Sequence, residues 1–338
     1  MGEGVGGEKK ISVENIWRGQ SVRFRLAAMS QFPKPEVVIT HESDLDGFVA
    51  GHLLQRLARH LFDKKVPLQA WNYTNWERRQ LREKSAWVCD LNFSARMDRE
   101  GWLIVDHHAT EVEPRNCQLI LDTTKSASLL CYELCQQHGL GNEKLDRLVH
   151  LTNVGDIYLT DDPHFIEAID YGSIIKQYMF WNIAKLIEGD LESLVDHPLL
   201  EVVATRRKVE DPLGYAYALA HITPLSDTVA MVETAIGNTN AVVHQLLEEK
   251  ATPHPVLLTA VTNSRSVSVS LRSRGGEALA IARQLQGGGH PNACGASLPK
   301  TIHRIPDAVE YLKKTLNPNP GGEGFGSLGD ALEGLEVK

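Results

Sequence analysis

Apolar residues fall along this chain in two rhythms. Short runs rich in Val, Ile and aromatic side chains alternate with longer stretches in which apolar positions recur every three or four residues. The short runs at 36–40, 66–73, 85–89, 103–105 and 118–121 have the β-branched character of buried strands. Between the first two, Ala50, Leu53, Leu54, Leu57, Ala58 and Leu61 share one stripe, which predicts a helix over 48–62 with a single buried face. Residues 126–138 predict a second helix, stopped at Gly139, and residues 142–153 a third that ends beside Asp156. Strands and helices alternating in this way imply a parallel sheet wrapped by helices.

The second half begins differently. Residues 171–211 read as mainly helical, and Asp211-Pro212-Leu213-Gly214 and Thr223-Pro224-Leu225-Ser226 read as two breakers. Strands at 228–233, 256–261 and 267–272 and helices at 239–249 and 278–285 follow, the last running into Gly287-Gly288-Gly289. The expected fold is therefore α/β: a parallel-sheet N-terminal domain with helices on both faces, a helical linker, and a smaller α/β C-terminal domain. The expected boundaries are an extension over 1–30, a first domain over 31–195, a linker over 196–226, a second domain over 227–316 and a flexible tail over 317–338. Residues 1–10 and 321–326 are Gly-rich and polar, as mobile ends without catalytic duty would be.

The strand ends carry the chemistry. Residues 36–40 run into His41-Glu42-Ser43-Asp44-Leu45-Asp46-Gly47, residues 85–89 into Asp90, and residues 103–105 into Asp106-His107-His108. Open α/β sheets bind ligands at the carboxyl ends of their strands. A lone Asp-His-His can simply cap a strand, but three strand ends presenting carboxylates to one another would repel unless cations neutralised them. A set rich in oxygen with a minority of imidazoles suits Mn²⁺, Mg²⁺ or Fe²⁺ better than a tetrahedral zinc site rich in sulfur.

Composition narrows the setting. Across 338 residues the formal net charge is −8, too acidic for a general nucleic-acid coat but compatible with a small phosphorylated substrate held by a few local cations. Five cysteines at irregular spacing do not form a disulfide framework, and Cys131 and Cys135, four apart on a predicted helix, fit buried packing better than a zinc or redox pair. No run reaches the length of a membrane span and the N-terminus lacks an apolar signal core, so a reducing cytoplasm is the expected address. Trp71, Trp76 and Trp87 read as core residues rather than base-stacking platforms, and Arg78-Arg79 and Arg206-Arg207 as surface charges.

These motifs, in this order, resemble the DHH phosphoesterase superfamily. His41 to Gly47, Asp90, Asp106-His107-His108 and Asp156 in Asn-Val-Gly-Asp-Ile-Tyr resemble its four N-terminal motifs. Gly287-Gly288-Gly289-His290-Pro291-Asn292-Ala293-Cys294-Gly295-Ala296 resembles the signature of its associated C-terminal domain, and Val269-Ser270-Leu271-Arg272-Ser273 the strand bearing that domain's substrate-binding arginine. The resemblance spans residues 36 to about 300 and implies a two-metal hydrolase. It implies that His41, Asp44 and Asp90 hold one divalent ion and that Asp46, Asp90, His107 and Asp156 hold the other, with Mn²⁺ favoured over Mg²⁺ or Fe²⁺.

By the same resemblance, His108 assists the leaving oxygen and Asp106 orients a histidine. Arg272, Gly287, Gly288, Gly289 and His290 hold a substrate phosphate. The implied activity is a Mn²⁺-dependent phosphodiesterase, an exonuclease on short oligonucleotides or a hydrolase of small phosphorylated nucleotides. At 338 residues, the extra nucleic-acid-binding domains of the long-strand exonucleases are not expected. An inorganic pyrophosphatase or polyphosphatase is the alternative within hydrolases, and a catalytically idle nucleotide-binding protein the alternative outside them. A homodimer is a candidate assembly, and no membrane partner is expected.

Overall fold

A computed structural model describes residues 32–262 and 266–317. The expected extension over 1–30 and the expected tail beyond Asn317 fall on residues outside these; Asn317 itself donates to the Leu225 carbonyl at 2.8 Å. The described chain forms two compact units, one comprising the residues up to His41 together with Ala50–Gly141, the other Glu42–Val49 together with the residues from Asn142 onward.

The first unit is built on a parallel sheet of five strands: β1 (Val37–His41), β2 (Leu68–Trp71), β3 (Ala86–Cys89), β4 (Trp102–Asp106) and β5 (Gln118–Leu121). Their order is β2-β1-β3-β4-β5, and every neighbouring pair is parallel. Alternate residues feed opposite faces. Val37, Ile39, Ala86, Val88, Trp102 and Ile104 pack with Trp76, Leu91, Phe93 and Met97, so this face is closed by the short helix α2 (Tyr73–Arg78) and by loops. On the other face, helix α1 (Leu45–Phe62) comes so close to β1 that a Cβ on Gly51 would lie 2.7 Å from Thr40 Cγ2. Beside α1 runs α3 (Ala127–Gln137), whose Cys135 thiol reaches the Leu53 carbonyl. Cys131 and Cys135 are both buried. Trp76 and Trp87 are buried, whereas Arg79 is less superficial than its sequence setting implies. It stacks over Trp71 and Trp76 and pairs with Glu83, because a guanidinium can bury its flat faces on indoles while its edge stays bonded.

The second unit starts with α4 (Glu143–Asp156), α5 (Phe165–Tyr178), α6 (Phe180–Leu186) and α7 (Leu199–Ala220). Helix α4 is longer than expected and carries Asp156 as its last residue. Helix α7 also runs straight through the expected break at residues 211–214. Pro212 is exposed there, and its neighbours serve tertiary contacts instead of a turn. Asp211 Oδ1 accepts the Asn238 N–H at 2.7 Å, and Gly214 sits where a Cβ would collide with the Ile236 carbonyl. Packing has overridden local propensity.

A mixed sheet follows, in the order β10-β11-β9-β8-β7-β6. Its strands are β6 (Ile222–Pro224), β7 (Val229–Val232), β8 (Val256–Thr262), β9 (Val267–Ser273), β10 (Gly288–His290) and β11 (Ala293–Ser297). The second expected breaker is thus partly the edge strand β6, a position where Pro224 needs no N–H donor. One face packs Val229, Met231, Leu258 and Leu271 against α9 (Glu277–Gln284) and α10 (Ile305–Leu316). The other packs Ala230, Val232 and Leu257 against α8 (Thr239–Glu248) and Ala218 of α7. No helix among the described residues is long and apolar enough to cross a membrane.

The close approach of α1 to β1 yields a direct prediction. Gly51→Ala should destabilise the protein by about 1–3 kcal/mol through overpacking against Thr40, measured as a lower urea midpoint with an unchanged slope. A midpoint equal to wild type would show that the helix can retreat at no cost.

Candidate metal centre

In the first sheet β2 lies on one side of β1 and β3 on the other, so the strand order reverses between β1 and β3. That reversal opens a crevice at the carboxyl ends of the strands. His41 ends β1, Asp90 follows β3 and Asp106 ends β4. The register sets Cys89 beside Val105, so Asp90 leaves the sheet at the level of Asp106. Asp90 turns out through a left-handed backbone (φ 54°), and its N–H still bonds the Val105 carbonyl at 3.1 Å. Such a conformation is unusual for a residue with a side chain and recurs at functional sites.

Asp90 is 2% exposed. His107 Nε2 stands 3.4 Å from its Oδ1 and His41 Nδ1 stands 3.4 Å from its Oδ2. Oδ2 nevertheless makes no hydrogen bond. A buried carboxylate oxygen with no hydrogen bond is costly unless another charge satisfies it. Ligand-capable atoms of Asp90, His107 and His108 lie within 4.8 Å of one another, as do those of His41, Asp44 and Asp90, and those of Asp46, His107 and Asp156. Four carboxylates and three imidazoles converge in these groups, a donor set that fits hard divalent cations. Asp44 has a structural duty as well. Its Oδ1 accepts the Gly47 N–H at 3.0 Å and caps α1.

Asp106 is in none of these groups. Fully buried, it accepts the Phe93 N–H on Oδ2 at 2.9 Å, and the His107 N–H at 2.9 Å and the His108 ring at 2.7 Å on Oδ1. Burial disfavours its charge, but the His108 bond and charge, the His107 charge and the Phe93 N–H outweigh this and hold the carboxyl below its ordinary value. Burial likewise opposes charge on His108, and the Asp106 bond overcomes it, so the imidazole is raised.

Sequence reasoning missed Tyr73. Its hydroxyl lies 3.2 Å from His108 Nε2 and its ring packs on His41 at 4.6 Å between centroids. Spacing gives no sign of this. The available signal was positional: β2 pairs Trp71 with His41, so a residue just beyond Trp71 emerges at the same sheet edge.

The remaining candidates lie on the second sheet. Arg272 is the penultimate residue of β9, with Nη1 donating to the Leu271 carbonyl at 3.2 Å and a buried Nε that makes no hydrogen bond. Burial pulls its guanidinium below its ordinary value. The glycine run is no loose loop. Gly288 to His290 form β10, and a Cβ on Gly287 or Gly289 would strike the Gly295 or Ala293 carbonyl, at 2.2 and 2.6 Å. Gly288 alone of the three faces open space.

Metal binding can be read without turnover. Excess Mn²⁺ should stabilise the folded wild type by about 2.7 kcal/mol at a hundredfold excess over Kd, read as a rise in melting temperature. Asp90→Asn should lose most of that rise and His107→Ala part of it, whereas His108→Ala should keep it. Equal losses in the two histidine variants would make His108 a ligand.

Residues 228–317 match the DHHA1 domain family. No curated protein sequence matches the chain. Among solved structures, the pGpG-specific phosphodiesterase PggH from Vibrio cholerae matches with a TM-score of 0.51 at 12% identity, over 83% of this chain and 97% of that one. RecJ from Thermus thermophilus, solved in complex with Mn²⁺, matches with a TM-score of 0.52 at 14% identity, over 84% of this chain and 52% of RecJ. The chain thus spans about half the length of RecJ, and at these identities the likeness is one of fold. It carries a DHHA1 domain at residues 228–317 and shares its fold with the DHH phosphoesterases.

Proposed function

We propose that this protein is a divalent-metal-dependent DHH phosphoesterase that hydrolyses short oligonucleotides or small phosphorylated nucleotides, with Mn²⁺ as the favoured ion. The observation that carries this is Asp90, a buried carboxylate flanked by two histidines at the strand-order reversal, with one oxygen left without a hydrogen bond. The names of its structural neighbours agree with it, one a phosphodiesterase of pGpG and the other solved with Mn²⁺. His41, Asp44 and Asp90 would hold one ion, and Asp46, Asp90, His107 and Asp156 the other. When bound, two such ions supply Lewis-acid activation of water and neutralise charge on the phosphate.

The chain's own residues supply proton control. His108 Nδ1 points to Asp106, so that nitrogen carries its proton. Nε2 faces Tyr73: the neutral ring accepts the Tyr73 O–H, and the protonated ring donates to the Tyr73 oxygen. Nε2 has one hydrogen-bonding position, so as a general acid His108 would reach a leaving oxygen either in place of the Tyr73 hydroxyl or by relay through it. Arg272 offers a buried N–H donor for a phosphate, and the open face of Gly288 lets backbone approach one. With a net charge of −8 the protein has little basic surface to track a long strand. The DHHA1 domain disfavours the pyrophosphatase alternative, and the complete set of carboxylates disfavours an idle nucleotide binder.

Purified protein with Mn²⁺ should hydrolyse dinucleotides faster than pyrophosphate or a long single strand. Arg272→Ala should raise KM on dinucleotides roughly 10- to 150-fold, the size of a lost charge-assisted bond, while Mn²⁺ content stays at the wild-type level. A length series from two to about twenty nucleotides decides it. Equal efficiency across the series with no Arg272 effect rules out a short-substrate enzyme.

A further inference from the structure

Two residues beyond Asp156 the backbone does something a tyrosine should avoid. Helix α4 ends with Ile157 as its C-cap, Tyr158 adopts φ 60°, and the Leu159 N–H reaches back to the Val154 carbonyl at 2.9 Å. This is the Schellman helix stop, whose left-handed position strongly favours glycine. Here it holds a bulky aromatic residue.

The side chain accounts for the choice. The Tyr158 hydroxyl donates to the Asn240 carbonyl in the first turn of α8 at 3.3 Å. Its ring meets Phe165 of α5 edge-on at 4.9 Å and His244 of α8 edge-on at 5.3 Å. Arg272 lies within electrostatic reach of both the phenol and His244, and α8 packs against β9, the strand that bears Arg272. A left-handed tyrosine thus bolts the end of the Asp156 helix to the helix that backs the Arg272 strand.

We infer that Tyr158 is a positioning residue: its tie to α8 fixes Arg272 relative to Asp156, and so sets the spacing between the phosphate held by the arginine and the phosphate to be cleaved. This rests on the proposed function, in which Asp156 serves the metal centre and Arg272 the substrate. A short two-phosphate ligand is sensitive to such a spacing, because both of its ends must be engaged at once.

The test uses the full-length protein and the variant Tyr158→Phe, which keeps the ring and the backbone conformation and loses only the hydroxyl. Two readouts are needed. Hydrogen exchange of the amides at the start of α8 should quicken in Tyr158→Phe while those of β8 and β9 stay as in wild type. Affinity for 5′-phosphorylated diadenylate, measured by calorimetry with Ca²⁺ in place of Mn²⁺, should weaken roughly 3- to 10-fold, the scale of one hydrogen bond. In an Arg272→Ala background the same change should cost nothing further, because its effect passes through the arginine. Unchanged exchange at α8 overturns the tie whether or not the ligand binds. An equal loss of affinity with and without Arg272 overturns the positioning role. Wild type that binds no diadenylate, with quickened exchange in the variant, keeps the tie and defeats the proposed function instead.

Discussion

Everything in the first unit follows from strand order. Because β2 and β3 flank β1 on opposite sides, the chain leaves β1 and β3 in different directions, and a crevice opens between their carboxyl ends. His41 and Asp90 stand at the two lips. The sheet core is apolar to its last layer, so these groups meet at a boundary where water is scarce and charges interact strongly. Folding must gather mutually repelling carboxylates at one edge, and Asp90 carries there a buried oxygen that makes no hydrogen bond.

The two carboxylates of that edge have been given different tasks by their surroundings. Asp106 has its oxygens occupied by three backbone N–H groups and the His108 ring, so it is satisfied by protein alone and serves to aim an imidazole. Asp90 faces two imidazoles at longer range and retains bonding capacity. The same residue type is thus a fixed bracket at one strand end and a receptive ligand at the next. In the second unit the division of labour falls on glycines. Gly287 and Gly289 are demanded by the packing of β10 against β11, while Gly288 answers to nothing in the protein.

Much of this was legible in the sequence wherever local pattern and tertiary role agree. The five parallel strands announce themselves as apolar runs, and His41, Asp90 and Asp106 as the polar residues that end three of them. Illegible were the places where packing overrules local chemistry. Pro212 sits inside α7 because Asp211 and Gly214 are spent on contacts to residues 236–238, which no local window contains. Pro224 looks like a breaker yet forms an edge strand. Tyr73 joins His41 and His108 only through sheet register, and Tyr158 occupies a glycine position for the sake of a residue some eighty positions away.

The central claim is that divalent cations sit at the strand-order reversal, with Asp90 among their ligands. The most direct test is anomalous diffraction at the manganese absorption edge from crystals grown with Mn²⁺. The account predicts anomalous density in contact with Asp90, flanked by His41 and His107. Crystals in which manganese binds elsewhere, or in which Asp90 keeps no metal at saturating Mn²⁺, would contradict it.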